Sequence, residues 1–367
     1  MAISIENLFN IITERKETVY TFRSILYIVG LPAKPTKRSV VQMENTCHLN
    51  QADLQAYMGK VFGTGYVVAD VRKMQGGAQK VVYKIDCSNG FTCVMYVWDL
   101  TMNYFQEEIE QQDLNRRSYG ADLFEMNNKY LTQQGIKTPA LYDLNQERAR
   151  YPFDYGLVEY IDGLKAEVYF DHSDPRVQDK VFQRVGDMVA GMHSNIRNTF
   201  GPFNTSEILT GNCHQGQVEK AISDLAYASL HIDNIGSHQS KLLDRLYELE
   251  AKIESRSRYG YIHGELGPDH ILVNHDLEPY LIDIEGAEFY DIEYEHTFLE
   301  LRFGNYYRYL KNDKLDPNRM LFYRYYHHIS LTAGGLKLEH RGFYDQAFAM
   351  GLAAQHSKRA LQFIGVN

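Results

Sequence analysis

The sequence predicts an α+β protein of two lobes, a small antiparallel-sheet lobe followed by a larger, mainly helical one. Three observations predict it. Between residues 66 and 161, short apolar runs alternate and are punctuated by hairpin signals. From residue 181 onward the apolar spacing changes to that of helices. One stretch, Tyr259 to Gly286, returns to a strand–loop–strand texture and concentrates acids and histidines. With 367 residues, 44% of them hydrophobic, the chain can furnish both cores.

Residues 1–48 carry helically spaced Ile5, Leu8, Phe9 and Ile12, then Tyr20 to Leu31 and the break Pro32-Ala-Lys-Pro35. They read as a helical extension, the segment best suited to a homodimer contact. Residues 49–163 form the first lobe. Ala52 to Val61 is a helix, and Tyr66 to Val71, Val81 to Asp86 and Phe91 to Trp98 are strands. Gly76-Gly77 and Asn89-Gly90 turn the chain between them. A helix follows with Leu123, Met126, Tyr130 and Leu131 on one side, ended by Gly135 to Pro139. Tyr155 to Ile161 is a further strand, closed by Asp162-Gly163. Residues 164–367 form the second lobe. Its helices are Val181 to His193, a pair within 221–253 broken at Asn234 to Gly236, Phe298 to Leu310, Met320 to Leu331 and Phe343 to Ile364.

Composition excludes several classes. Lys+Arg 38 against Asp+Glu 47 gives a net charge of -9, and the short basic runs Lys34 to Arg38 and Arg148 to Arg150 lack interleaved aromatics, so no nucleic-acid partner is expected. No apolar run reaches the roughly 20 residues of a membrane span. Cys47, Cys87, Cys93 and Cys213 form no CxxC pair; a Cys87–Cys93 hairpin bridge can be drawn, but free thiols in the cytoplasm are the expectation. No HExxH or cysteine accompanies His263, His270 and His296 as a zinc site, and the nucleophile elbow G-x-S-x-G is absent.

The chemistry gathers at 263–285. A loop bearing His263, Glu265, Asp269 and His270 leads into the strand Ile271 to Val273. After the turn Asn274 to Glu278, the strand Tyr280 to Ile284 delivers Asp283 and Glu285 to the same end. Carboxylates crowded in this way repel unless a cation sits among them, and a divalent ion such as Mg²⁺ with phosphate oxygens is the economical solution.

The pattern His263-Gly-Glu265, His270-Ile-Leu-Val, then Leu281-Ile-Asp283 resembles the aminoglycoside phosphotransferase and choline kinase superfamily, which has a protein-kinase-like fold. The resemblance implies that Glu265 acts as base toward an acceptor hydroxyl, that His263 pins the loop, and that His270 and Asp283, with Glu285 beside them, hold Mg²⁺ on nucleotide phosphates. Upstream it is weaker. Gly76-Gly77 and Val82 look like the hairpin over the nucleotide, Glu125 like the lysine-pairing helix glutamate, and Glu159 and Tyr160 like the adenine-facing hinge. The helix ending at His193 is also similar. No Asp-Phe-Gly or Ala-Pro-Glu is present, so protein kinases fit less well.

The implied activity is ATP- or GTP-dependent phosphotransfer to a hydroxyl of a small molecule. A cationic acceptor is mildly favoured by Glu288, Asp291, Glu293 and Glu295. Three departures stand out. Glu265 replaces the usual Asp, and His270 replaces the usual Asn, which tilts the site toward Mn²⁺. Tyr96 stands where the third strand carries a phosphate-binding lysine. Lys84, on the Val82 face of the neighbouring strand, is the first substitute for that charge and Lys80 the second. The alternative reading is a catalytically inactive kinase-like protein that binds a nucleotide, small ligand or protein partner.

Overall fold

The computed structural model describes residues 47–74, 79–111, 118–203 and 212–366. The expected N-terminal extension up to residue 46 and the glycine pair Gly76-Gly77 lie outside the described residues.

Helix α1 (Gln51–Phe62) starts where the Asn50 side chain accepts a hydrogen bond from the Asp53 amide. It buries Leu54, Tyr57 and Met58 against one face of the first-lobe sheet. That sheet is wholly antiparallel, in the order β1 (Val68–Lys73), β2 (Val81–Cys87), β3 (Thr92–Trp98), β5 (Asp154–Glu159), β4 (Leu141–Asn145). Strand β2 alternates as its sequence demands, with Tyr83 and Ile85 in the core and Lys84 and Asp86 half-buried on the other face. Strand β3 is buried on both faces. Cys93, Met95 and Val97 pack under α1, while Val94, Tyr96 and Trp98 face α3 (Ala121–Gln133).

Two elements of this lobe are absent from the sequence reading. Strand β4 carries Asp143 and Asn145, which mask its apolar alternation. Helix α2 (Gln106–Gln111) is short and acidic, and Arg341 of the second lobe holds it through Glu107 and Glu108.

Asp162-Gly163 does not simply close the first lobe. The chain continues as β6 (Gly163–Lys165), which pairs with β9 (Ile271–Asn274), itself paired with β10 (Pro279–Leu281). Gly163 is obligatory there, since a Cβ would lie 2.2 Å from the Val273 carbonyl oxygen. The inter-lobe connection is thus stitched to the strands that bear the site.

In the second lobe, α4 (Pro175–His193) begins with an Asp174 cap and proline in its first turn. After β7 (Ile196–Arg197) come α5 (Gln215–Ser229), α6 (Asp233–Ser237) and α7 (Gln239–Glu250). Strand β8 (Tyr259–Ile262) pairs with β7 and with β11 (Glu288–Tyr290). Helices α8 (Ile292–Phe303), α9 (Pro317–His340) and α10 (Gln346–Gln362) complete the lobe. The expected helix at 298–310 therefore begins earlier and gives way at Gly304 to a 3₁₀ segment. The expected two-lobed α+β architecture is present. All four cysteines are free, and among the described residues no helix is long and apolar enough to cross a membrane.

Candidate active site

The loop between β8 and β9 is fixed from below by α8. One oxygen of buried Glu295 accepts the main-chain N–H groups of His263 and Gly264, each at 2.9 Å, and the other lies 2.6 Å from His193 Nε2. Gly264 has φ +92°, a conformation that permits the loop to turn immediately after His263. His263 is 1% exposed; its Nε2–H donates to the Ile282 carbonyl at 2.9 Å, and its Nδ1 faces the Glu265 amide at 3.4 Å. Burial, then the neighbouring His270 ring, depress the His263 pKa and keep it neutral. It ties the loop to the strand that delivers Asp283.

Asp283 follows β10 in the left-handed region, φ 62° and ψ 42°, an uncommon conformation for a residue with a side chain. Its carboxylate receives a hydrogen bond from Lys80. The Lys80 ammonium also donates to Glu285 at 2.6 Å, and the indole N–H of Trp98 donates to the same Glu285 oxygen at 2.9 Å. Lys80 and Glu285 side chains are each only 6% exposed, whereas Asp283 is 42% exposed toward the cleft. Burial opposes the charge on Lys80, yet Asp283 and Glu285 outweigh it and raise its pKa. Burial likewise opposes the charge on Asp283, and Lys80 and then His270 draw its pKa down. Asn127 of α3 holds the turn from behind by donating to the Ile284 and Glu285 carbonyls at 2.8 and 3.1 Å.

His270 stands beside this group. Its Nδ1 lies 2.8 Å from the Glu265 carbonyl and must donate, so in the neutral ring the lone pair is on Nε2, 3.5 Å from Asp283 Oδ2. Asp269, although buried, is held down at about 2 by Arg302, 2.5 Å away. The Glu265 carboxylate is exposed and makes no hydrogen bond to a described residue.

Among the described residues no three His, Cys, Asp or Glu side chains converge as a ready metal cage. The imidazole nitrogen and carboxylate oxygen of His270 and Asp283 nevertheless fit a divalent ion whose other ligands are phosphate oxygens and water, the usual manner of Mg²⁺. Glu285, offered by the sequence as a further ligand, is bonded to Lys80 and Trp98 through one of its two oxygens.

The remaining expected residues are distributed as follows. Val82 is half-buried on the same face as Lys80 and Lys84. Lys84 pairs with Asp86 at 3.6 Å and lies 4.3 Å over the Tyr160 ring, so the acids of the site are met by Lys80 and not by Lys84. Glu159 accepts the Ala140 amide at 3.1 Å. Glu125 is exposed and pairs with neither lysine, because α3 presents Asn127 to the Asp283 turn. Two residues along a helix is about 200° around it. The acids of α8 and its cap are paired internally. Asp291 bonds Arg319 and Tyr323, Glu293 bonds Arg256, and Glu295 holds the loop.

Sequence reasoning missed the work of Glu295, Trp98 and Asn127. A tryptophan ending a buried strand was the available signal for Trp98, since its N–H requires an acceptor. Nothing local distinguished Glu295 from its solvated-looking neighbours.

A small antiparallel lobe over a helical lobe, with a pinned His-Gly-acid loop and a strand-end Asp between them, defines a protein-kinase-like fold. The model of the "Phosphotransferase enzyme family" matches residues 124–300. The fold is related to that of the aminoglycoside phosphotransferase and choline kinase superfamily. It is similar to aminoglycoside phosphotransferase APH(4)-Ia, solved with ADP and hygromycin B, at 16% identity and TM-score 0.56, over 83% of this chain and 97% of that one. Spectinomycin phosphotransferase APH(9)-Ia, solved with ADP and spectinomycin, aligns at 13% identity and TM-score 0.59, over 84% and 94%. Choline kinase LicA from Streptococcus pneumoniae aligns at 12% identity and TM-score 0.54, over 85% and 97%. No curated protein matches the sequence.

Proposed function

We propose that the protein transfers the terminal phosphoryl group of ATP or GTP to a hydroxyl of a small molecule. The observation that carries this reading is the arrangement around His270, whose two ring nitrogens face the Glu265 carbonyl and the Asp283 carboxylate. It joins an exposed carboxylate suited to proton transfer with a pair suited to a divalent ion, in a chain matched by a phosphotransferase family. Glu265 accepts the proton of the acceptor hydroxyl as its oxygen bonds to phosphorus; the bond to the bridging oxygen breaks and the nucleoside diphosphate leaves. His270 and Asp283 would hold Mg²⁺ or Mn²⁺, which when bound offsets phosphate charge. The main chain at Glu159 and Tyr160, with Val82 above, would receive the base.

A second reading, ligand binding without turnover, is favoured by one observation. Lys80 already satisfies the Asp283 oxygen nearest it. Calorimetric titration with ATP and GTP in Mg²⁺ or Mn²⁺, followed by a panel of hydroxyl-bearing amines, sugars and nucleosides scored for diphosphate release, tests both. Acceptor-dependent release is the expected result. Binding without release across the panel supports the second reading, and absence of binding at millimolar nucleotide overturns both.

A further inference from the structure

We propose that Lys80, oriented by Glu285 and Trp98, is the cation that grips the nucleotide phosphates in this site. The inference rests on the nucleotide-dependent reading above and deepens it. It assigns a binding role to a residue on β2's leading edge and a positioning role to an acid two residues beyond Asp283.

Tyr96 stands on β3 where the resemblance implies a phosphate-binding lysine, and its ring is turned onto Phe124 at 5.4 Å between centroids. The Lys80 ammonium lies 4.9 Å over that same ring. Since Val82 pairs with Tyr96 across the ladder, a side chain two residues before Val82 on the same face enters the space above Tyr96 from the adjacent strand. The charge that β3 lacks is therefore supplied one strand over, within reach of the strand-end acid.

A lysine on a four-carbon stem is a flexible point charge, useful only when something holds it. Glu285 does so from a buried position, its oxygen fixed by Trp98 as well as by Lys80 and its main chain fixed by Asn127. Trp98 and Asn127 belong to β3 and α3, so the first lobe clamps the acid on two sides. The exposed Glu125 has no part in it.

One ammonium and two carboxylates leave this cluster with a single net negative charge, which repels a phosphate chain. A divalent ion on Asp283 and His270 reverses the sign and frees Lys80 from half its partners, while Glu285 keeps it anchored. The cluster therefore predicts that triphosphate and divalent metal bind with mutual support, and that Lys80 discriminates phosphate-bearing ligands from the bare nucleoside.

The test compares MgATP with adenosine by titration calorimetry on the full chain. In Lys80→Met, affinity for MgATP is expected to fall at least tenfold while adenosine affinity is unchanged. Lys80→Arg should retain most of the MgATP affinity. Glu285→Gln should lower the ratio of MgATP to adenosine affinity by a smaller factor, a readout that a merely structural role would leave alone. Lys80→Gln reads the same ratio should the Met variant melt early. Wild-type MgATP affinity in the Lys80 variants, equal losses for both ligands, or loss in Lys84→Met instead would each overturn the assignment while leaving the nucleotide-dependent reading intact. Failure of the wild-type protein to bind either ligand would overturn that reading as well.

Discussion

Glu295 and His193 share a 2.6 Å hydrogen bond in the interior of the helical lobe, joining the first turn of α8 to the last residue of α4. The same carboxylate reaches the other way to two loop amides, so a single side chain ties two helices to the loop that follows β8. Removing it as Glu295→Ala leaves two buried N–H donors and an imidazole without their acceptor, at about 1–3 kcal/mol for each group left unpaired. Thermal melting should show a drop of several degrees or more, at roughly 2–4 °C per kcal/mol for a domain of this size. Glu295→Gln, which retains an acceptor oxygen, should lose less. An unchanged midpoint in the alanine variant would show that the loop is held elsewhere.

Glu265 and Asp283 should separate in their kinetic signatures. Glu265→Gln is expected to preserve nucleotide affinity and to cut turnover by about 10² or more, since it removes only proton acceptance. Asp283→Asn should weaken metal-dependent nucleotide binding itself and release one partner of Lys80. Single-turnover and equilibrium measurements on both variants distinguish the two roles. Wild-type turnover in Glu265→Gln would remove it as the base.

Gly163→Ala should be costly despite its small size. The added methyl would meet the Val273 carbonyl oxygen at 2.2 Å, so β6 must move off β9 or the ladder must open. Overpacking of this kind costs about 1–3 kcal/mol, read from denaturant midpoints. Hydrogen exchange at the amides of residues 163–165 and 272–274 should accelerate with it. Full protection there would contradict the close approach.

Acid should destabilise the helical lobe through buried histidines. His328 and His356 face each other, Nδ1 to Nδ1, at 2.9 Å between α9 and α10. Burial lowers both pKa values from 6.5, to about 3 and about 4, and the neighbouring His327, Arg324 and Arg359 add to the effect on one or both. The unfolded chain therefore binds more protons than the folded one as pH falls below 6.5. Stability is fully present above that value and is lost progressively toward about 4. Unfolding midpoints should hold between pH 7.5 and 6.5 and fall from there to pH 4.5, and His328→Leu should flatten that slope. A pH-independent midpoint across that window would contradict it.

Much of the fold was legible because its signals are local. Val81 to Cys87 alternates ahead of an Asn-Gly turn, and the apolar spacing of Val181 to His193 states a helix directly. Strands β4, β6, β7 and β11 were not legible, being short and defined by the partner they pair with. The candidate site divides in the same way. His263, Glu265, His270 and Asp283 stand out because a short loop and one hairpin bring them together.

By itself the sequence determined a sheet lobe, a helical lobe, and a cleft of acids and imidazoles at 263–285. It also determined that Val82 and Lys84 share one face of β2, because side-chain direction along a strand depends only on parity. Which lysine meets the acids was decided by the tertiary structure alone. The two ammonium stems start about 13 Å apart along the strand, and only the placement of the Asp283 turn, 203 residues further along the chain, selects Lys80. The acids near α8 followed the same rule: helical spacing marks their direction but not whether Arg256, Arg319 or His193 waits there. Periodicity orients a side chain relative to its own backbone, whereas its partner's position depends on how distant elements pack, which no local pattern encodes.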